Sequence, residues 1–464
     1  MNNPLQEHAA PTSGAVQRYT AAWRWHFFAG IVVIPFLLVL ATTGLVMLYY
    51  STVATPLGEH LYVTTSEGAS TTPVQQLATA QAALPGATAA LYIPAPGRNG
   101  PVQFELAQGD SIYAIDIDPY TNRVLRVVDK DLTLYALAHR IHGTLLLGEV
   151  GDTIVEVVAG LALLMLATGV YMWFQQRRVA PAALSSRRRG WRRWHMLTGL
   201  YGAIVLSFFL LSGLAWTNVW GGKWVQAWGT FPAEKWGPVA LSANTHGAMN
   251  HGAHKEVPWS LEQTPLPASA EEGDHTAHGG SAAVNLDAID QLARASGFGP
   301  RYRINLPQGA DGVYTISSTS MNGETDRPGD ERTVHVDRHS GKVVAEVGFD
   351  DYSLLAKSMA VGVAVHQGSM GWWSIALDVL ACTVVIFLCI SGTLLWWLRR
   401  PARTGWLPVP PRRTSLPLRS GLTVLLLAMG ITFPLLGAAL VAGLIAYALL
   451  KRLQQGRAGC KIPV

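Results

Sequence analysis

Charged side chains and cysteines are scarce in this chain. Asp, Glu, Lys and Arg make up 14% of the 464 residues, against about a quarter in ordinary soluble domains. Cys382 and Cys389 lie in one apolar run and Cys460 lies in the tail, which excludes a disulfide framework in the polar segments and a thiolate metal motif. The sequence also lacks a nucleotide-binding stretch and a nucleophile motif, which argues against a bound NAD(P)H or flavin and against hydrolysis.

Long apolar runs are what the sequence has instead. Hydrophobic residues make up 49% of the chain and cluster into five runs, each long enough to cross a hydrocarbon core that needs about 20 apolar residues. The sequence therefore predicts a mainly α, polytopic membrane helical bundle with four core spans and a fifth C-terminal hydrophobic segment. The fifth run contains Pro434 and could be one long kinked helix or a short hairpin. Its length favours one helix.

Arginine is distributed unevenly between the connecting segments. Segment 175–193 carries seven arginines and no acid, and segment 399–419 carries six and no acid. Segment 51–138 carries eight acids and four basic residues. Because cytoplasmic loops are enriched in Lys and Arg, we expect the N-terminus and the arginine-rich loops in the cytoplasm and the two large polar segments outside. The net charge of +5 follows from this topology and does not indicate nucleic-acid binding.

The chain contains an internal duplication. The first and third runs open with "WRWHFFAG" and "WRRWHMLTG", and the second and fourth close with "ATGVYMWFQQRR" and "ISGTLLWWLRR". In the polar segments, "YAIDIDPYTNRVLRVVD" (113–129) matches "RTVHVDRHSGKVVAEVG" (332–348), and each pattern predicts strand, turn and strand. The chain is therefore predicted to contain two copies of a unit made of a span, a small external α+β module and a second span.

These patterns set the predicted boundaries. In chain order they are a cytoplasmic tail (1–22), a first span (23–50), a first external module (51–138), a second span (139–174), an arginine-rich loop (175–191), a third span (192–217), an external region (218–365), a fourth span (366–398), a cytoplasmic loop (399–419), the fifth hydrophobic segment (420–450) and a basic tail (451–464). The external region contains a loop rich in His and Met (244–280) and the second module (284–350).

Four histidines stand at the ends of the predicted spans. The duplication makes His26 equivalent to His195 and His142 equivalent to His366, which places one pair near each face of the membrane. Facing imidazoles from neighbouring helices can hold a haem iron from both sides. The pattern predicts two b-type haems, while interfacial histidines, copper binding and a proton relay are the alternatives. His139, one turn before His142, is the alternative external ligand.

Two acids lie inside the predicted spans. Glu156 and Asp378 follow the histidines of their spans by 14 and 12 positions. Acids within a membrane are costly and are functional candidates, so we expect either a proton path or a hydrogen-bonded structural role.

The loop 244–280 is the third candidate site. Imidazole and thioether groups are suitable copper ligands, and the alternative is a flexible polar insertion that binds metal weakly. The candidate ligands are His246, Met249, His251 and His254.

Several stretches together resemble a known family. "HRIHGTLLLGEVGD", "WRRWHMLTGL" with "SGLAWTNVWG", and "VAVHQGSMGWW" with "SGTLLWWLRRP" resemble the PepSY-associated transmembrane proteins, over nearly the whole chain. The two external modules look like PepSY domains. The family includes iron-regulated inner-membrane proteins, among them dihaem reductases that release iron from ferric siderophores on the periplasmic side.

Residues and resemblance together give a functional hypothesis. The chain is predicted to be a dihaem protein of the bacterial inner membrane that takes electrons from a quinol or a cytosolic reductase. It would reduce a periplasmic metal complex, and the resemblance favours a ferric siderophore. The alternatives are a PepSY-type binding or regulatory membrane protein without redox chemistry, and a copper-handling protein or cupric reductase.

Overall fold

The computed structural model describes residues 13–65, 68–176, 186–250, 255–269, 284–399 and 421–459. The chain forms two compact units. The helical unit consists of Met1–Thr42, His142–Trp224 and Leu380–Val464, and the sheet unit consists of Thr43–Ile141 and Val225–Val379.

Helices dominate the described residues. They are α1 (Ser13–Thr52), α2 (Pro73–Ala83), α3 (Leu134–Thr144), α4 (Gly148–Gln175), α5 (Ser186–Leu214), α6 (Gln226–Gly229), α7 (Leu286–Ala295), α8 (Leu354–His366), α9 (Trp372–Trp397), α10 (Gly421–Thr432) and α11 (Pro434–Gly459). Among these described helices, α1, α4, α5 and α9 have the length and hydropathy of a membrane span. The prediction of a mainly helical, polytopic membrane protein is confirmed.

The second and fourth predicted spans are each interrupted close to their histidine. Between α3 and α4, Leu145 and Leu146 adopt left-handed backbone with φ of 51° and 62°. Between α8 and α9, Gly368 and Gly371 have φ of 71° and 81°. The sequence predicted continuous spans here. Leucine rarely adopts left-handed backbone, so the sequence did not predict a break at Leu145 and Leu146, although Gly148, two residues later, also has a positive φ of 56°.

The fifth hydrophobic run forms two helices, α10 and α11, separated by Phe433. A Cβ atom built on Gly437 would lie only 2.5 Å from the carbonyl oxygen of Gly430, so the two backbones come close together at the bend. Pro434 stands at the first position of α11, where its missing N–H costs no helical hydrogen bond. The expectation of one helix was wrong, and the structure favours the hairpin alternative.

The strands of the sheet unit form a large and a small sheet. They are β1 (Thr88–Ile93), β2 (Val102–Gln108), β3 (Ser111–Asp118), β4 (Arg123–Asp129), β5 (Leu241–Thr245), β6 (Pro265–Pro267), β7 (Arg303–Asn305), β8 (Tyr314–Ser318), β9 (Arg332–Val336) and β10 (Val343–Gly348). Eight of the described strands form one antiparallel sheet in the order β10-β9-β8-β7-β1-β2-β3-β4, and β5 pairs with β6.

The large sheet is built from both sequence repeats. Helix α2 precedes β1 to β4, and α7 precedes β7 to β10. The two halves join where Leu91 pairs with Asn305 and Tyr92 pairs with Ile304. We expected two small external α+β modules, and in the structure their strands share one sheet and one apolar core. Strand patterns predict pairing within a repeat, but they do not show that β1 and β7 cover each other's open edges.

Candidate functional site

His26 and His195 come together inside the helical unit. His26 lies on α1 and His195 lies on α5. Their ring centres are 6.4 Å apart and their planes meet at 88°. The duplication had predicted these two residues as one pair, and the structure brings them face to edge.

Each ring is fixed through its Nδ1 atom. Nδ1 of His26 lies 2.9 Å from the carbonyl oxygen of Met165. Because a carbonyl can only accept, Nδ1 of His26 carries the proton and Nε2 keeps its lone pair. Nδ1 of His195 lies 2.8 Å from Oγ of Ser391, and this hydroxyl donates to the carbonyl of Leu388 at 3.2 Å. The same tautomer therefore follows for His195.

A glycine lies beside each ring. A Cβ atom built on Gly169 would lie 3.2 Å from Cε1 of His26, and one built on Gly392 would lie 3.5 Å from Cε1 of His195. Both glycines occupy the same place in the two repeats. They allow each imidazole to pack directly against the backbone of α4 or α9.

The sequence interpretation missed the hydroxyl groups that precede these glycines. Oγ1 of Thr168 lies 3.4 Å from Nδ1 of His26, and Ser391 holds His195. Both hydroxyl-bearing residues are fully buried. The signal was present in the repeats as "TG" and "SG", each a hydroxyl residue directly before the shared glycine.

Helix packing around the pair also repeats. A Cβ atom on Gly30, four residues after His26, would lie 3.5 Å from Cε of Met165. One on Gly199, four residues after His195, would lie 3.7 Å from Cδ2 of Leu388. Helix α1 therefore packs on α4 as α5 packs on α9.

The second predicted pair lies at the interrupted spans. His142 is near the end of α3, with Nδ1 3.0 Å from the carbonyl oxygen of Leu40. His366 is the last residue of α8. His139 stacks on Tyr135, with ring centres 6.2 Å apart and planes at 14°. The carbonyl contact of His142 matches that of His26, while the choice of His142 over His139 and its pairing with His366 stay predictions.

The two acids differ in their surroundings. Oε2 of Glu156 accepts from the backbone N–H of Trp220 at 3.0 Å, and Oδ2 of Asp152 accepts from that of Asn218 at 3.0 Å. These carboxylates cap the π-helical segment Asn218–Val225, which favours the structural role for Glu156. Asp378 is buried, and neither of its carboxyl oxygens has a hydrogen-bond partner among the described residues. It remains the candidate for proton chemistry.

Of the four predicted copper ligands, the structure describes His246 and Met249. His246 is fully buried at the start of the 3-10 turn His246–Met249, and its Nε2 lies 3.1 Å from Nε2 of His335 on β9. His251 and His254 lie outside the described residues. No group of three or more His, Cys, Asp and Glu able to hold a metal occurs in the part of the chain that the structure describes.

The sequence interpretation missed His335, because the pattern of its strand indicated only a position in the core. Like His246, His335 is fully buried. Burial lowers the pKa of His246 to about 4 and lowers the pKa of His335 well below its ordinary value, since the charged form of a buried group is disfavoured. The pair is therefore uncharged at neutral pH.

The class of the protein follows from its helices. Four described helices have the length and hydropathy of membrane spans, and the chain is a multi-pass membrane protein. Residues 23–399 match the family model of the PepSY-associated TM region, and the chain belongs to this family. The resemblance seen in the sequence motifs is therefore confirmed. A comparison with curated proteins found no match.

Proposed function

We propose that this protein is a dihaem electron-transfer protein that reduces an external metal complex with electrons from the cytoplasmic side. The observation that carries the proposal is the pairing of His26 and His195 at 6.4 Å with both Nδ1 atoms anchored. His142 and His366 are proposed to hold the second haem.

The residues around the first pair fit a bis-histidine haem. Two imidazoles that bind one metal through Nε2 have ring centres about 6 Å apart, because each metal–nitrogen bond is about 2.0 Å long. An Nδ1–H donated to a carbonyl or hydroxyl fixes the tautomer of a ligating histidine and raises its basicity. Gly169 and Gly392 let the two rings pack directly against the helix backbone, since a Cβ atom there would lie 3.2 and 3.5 Å from Cε1 of His26 and His195. When bound, such a haem supplies one-electron transfer.

The second site lies further along the same helix. Leu40, which holds His142, follows His26 by 14 residues on α1 (40 minus 26). This corresponds to about 21 Å at 1.5 Å per residue. Two such sites would give electrons a path through most of a hydrocarbon core that is about 30 Å thick.

The proposed direction of electron transfer rests on the distribution of arginine along the chain. The arginines of segments 175–193 and 399–419 support a cytoplasmic location for these loops, so the His26 pair would receive electrons from a quinol or a cytosolic reductase. Reporter fusions at about residues 100 and 300 test this. We expect activity from external reporters alone, and a cytoplasmic signal from either site would reverse the orientation.

The proposed substrate is a ferric siderophore in the periplasm, as the family resemblance implies. One electron converts the bound Fe(III) to Fe(II), and the chelator is left chemically unchanged. Chelators with hard oxygen donors hold Fe(III) far better than Fe(II), so reduction suffices to release the metal.

The first experiment is an absorption spectrum of the purified protein with and without dithionite. We expect two reducible haems per chain. His26→Ala and His195→Ala should remove one and the same haem, and His142→Ala and His366→Ala should remove the other. His60→Ala, at an exposed histidine of the sheet unit, is the matched control and should retain both. A colourless wild-type protein would leave a non-redox binding or regulatory role.

The second experiment tests the acceptor. Dithionite-reduced protein is mixed with a ferric siderophore without oxygen, and Fe(II) is trapped with ferrozine. We expect reoxidation of the protein and formation of the Fe(II) complex. His366→Ala should lose this step while it keeps a reducible haem. Reoxidation by Cu(II) but by no ferric chelate would make the protein a cupric reductase.

A further inference from the structure

We propose that His246 and His335 form a buried binding site for a soft monovalent cation, Cu(I). The site lies wholly within the sheet unit. The site uses none of the residues assigned to the haems, so its test does not depend on the proposed reductase function.

The two rings already point their Nε2 atoms at each other. These atoms are 3.1 Å apart. Nδ1 of His246 lies 2.8 Å from the carbonyl oxygen of Thr264, and Nδ1 of His335 lies 3.0 Å from Oγ1 of Thr315. This is the arrangement of ligating histidines, in which one ring nitrogen is held by the protein and the other faces the metal.

Local structure holds both rings in place. The backbone N–H of His246 donates to the same Thr264 carbonyl at 3.0 Å, and the hydroxyl of Thr264 donates to the carbonyl of Phe231 at 2.7 Å. His335 on β9 is the direct cross-strand partner of Thr315 on β8. Each ring is therefore fixed by regular backbone pairing as well as by its own hydrogen bond.

The hydrogen bonds allow cation binding without release of a proton. Since the Thr264 carbonyl can only accept, His246 carries its proton on Nδ1. His335 therefore donates its Nε2–H to His246, and Thr315 donates to Nδ1 of His335. On binding, the proton of His335 moves from Nε2 to Nδ1, where the Thr315 hydroxyl can accept it. Both Nε2 lone pairs then face the cation, and both rings stay neutral.

The donor set favours Cu(I) over Zn²⁺. A structural Zn²⁺ needs four ligands in a tetrahedron, and the described residues offer no group of three or more His, Cys, Asp and Glu. Two neutral imidazoles suit a cation of low charge that accepts two ligands. With bonds of about 2.0 Å, the two Nε2 atoms would have to lie about 4 Å apart, so the rings must separate by about 1 Å.

Two neighbouring side chains add to this preference. The ring of Trp236 lies 6.1 Å from that of His246 and 5.6 Å from that of His335, and an indole face attracts a cation. Met249 ends the 3-10 turn that His246 begins, and residues three apart on such a turn share one face. Its half-buried thioether is a soft donor close to the pair in the chain.

The test is an anaerobic Cu(I) titration of the full-length protein against the chromophoric chelator bathocuproine disulfonate. We expect the wild type to take one Cu(I) per chain from the chelator. His246→Ala and His335→Ala should each abolish this binding. The double variant His251→Ala/His254→Ala should retain it. Binding that survives in His335→Ala, or that is lost in the double variant, would overturn the proposal.

Two further measurements guard against variants that fail to fold. Trp236→Phe keeps both histidines and should weaken Cu(I) binding about threefold, the loss of a modest cation–π contact. X-ray absorption of the Cu(I)-loaded wild type should show two nitrogen neighbours. Three or more nitrogen neighbours would assign the copper to the histidine-rich loop.

His26→Ala should bind Cu(I) normally, so failure of the haem proposal leaves this one intact.

Discussion

At the scale of single residues, several histidines are held in place by the same kind of contact. In four of the described histidines, a backbone carbonyl or a hydroxyl faces the Nδ1 atom and fixes the orientation of the ring. The contacts are His26 with Met165, His142 with Leu40, His195 with Ser391 and His246 with Thr264. A histidine with only a packing role in the core would also need hydrogen bonds. It would not need a glycine packed against its ring, as His26 and His195 have.

A larger side chain at either of these glycines should therefore displace the neighbouring ring and remove the haem. In Gly169→Leu and Gly392→Leu, the isobutyl group would collide with His26 or His195, because a Cβ atom alone would lie 3.2 or 3.5 Å from Cε1. We expect each variant to lose the same haem as His26→Ala in the dithionite difference spectrum. Gly190→Leu on α5 is the control, because no atom lies within 4 Å of a Cβ atom built there. An equal loss in the control would contradict the role of the two glycines.

Glu331 should make the stability of the sheet unit depend on pH. Burial raises its pKa from 4.5 to about 7, although Ser320 donates hydrogen bonds to the carboxylate. The folded state then holds the proton more tightly than the unfolded state. The free energy of unfolding should fall as pH rises from 4.5 to 7, by roughly 3 kcal/mol. Glu331→Gln should flatten this dependence in thermal unfolding followed by circular dichroism, and an unchanged pH profile would contradict the assignment.

At the scale of elements, the interruptions after His142 and His366 are the main departure from a simple bundle. Two consecutive leucines in left-handed backbone cost of order 1–3 kcal/mol each, so the surrounding structure must impose this conformation. The chain packs tightly here: a Cβ atom built on Gly151 would lie 1.6 Å from the carbonyl oxygen of Thr144. The junction between α3 and α4 is thus held by a contact that only glycine permits.

Gly151→Ala should destabilise this junction. The added methyl group has no space, and overpacking of this kind costs roughly 3 kcal/mol. We expect a lower midpoint of thermal unfolding in detergent and a smaller yield of folded protein. Gly143→Ala on α3 is the control, because a Cβ atom there meets nothing within 4 Å, and it should unfold at or above the wild-type temperature. Equal midpoints for the two variants would show that the junction is not tightly packed.

Much of this organisation was predictable from the sequence, for identifiable reasons. Apolar run length predicted the membrane helices, and the repeats predicted that His26 would partner His195. The left-handed backbone at Leu145 could not be predicted, because leucine rarely adopts it and the nearest glycines, Gly143 and Gly148, lie on either side of it. The pairing of β1 with β7 and the meeting of His246 with His335 depend on contacts 89 or more residues apart in the chain. Local patterns carry no information about such contacts.

At the scale of the whole sheet unit, a buried ionic network links the two repeats. Lys130 lies 2.8 Å from Glu105 and 2.6 Å from Glu256. Arg303 lies 3.3 Å from Glu256 and 2.6 Å from Glu324. Lys130 and Glu105 belong to the first repeat, and Arg303 and Glu324 belong to the second. Glu256, from the segment between them, bridges the two cations and joins the halves of the sheet.

Lys130→Met should destabilise both halves of the large sheet. It leaves buried carboxylates without their cation, which costs about 3–5 kcal/mol. We expect a large fall in the midpoint of sheet unfolding measured by circular dichroism. The control is Glu346→Gln, which breaks the partly exposed ion pair with Arg332 and should cost at most about 1 kcal/mol. If Lys130→Met unfolds no earlier than this control, the network does not hold the repeats together.

The symmetrical strand order of the large sheet bears on the ancestry of the chain. A half-length ancestor could have formed the same eight-stranded sheet as a homodimer, since antiparallel pairing of two identical strands satisfies a two-fold axis. His26 and His195 would then descend from one histidine that each subunit contributed to a shared site. After fusion of two gene copies, the two halves could have diverged in sequence. Thr168 in one half and Ser391 in the other would then be diverged forms of one hydroxyl residue beside the histidine.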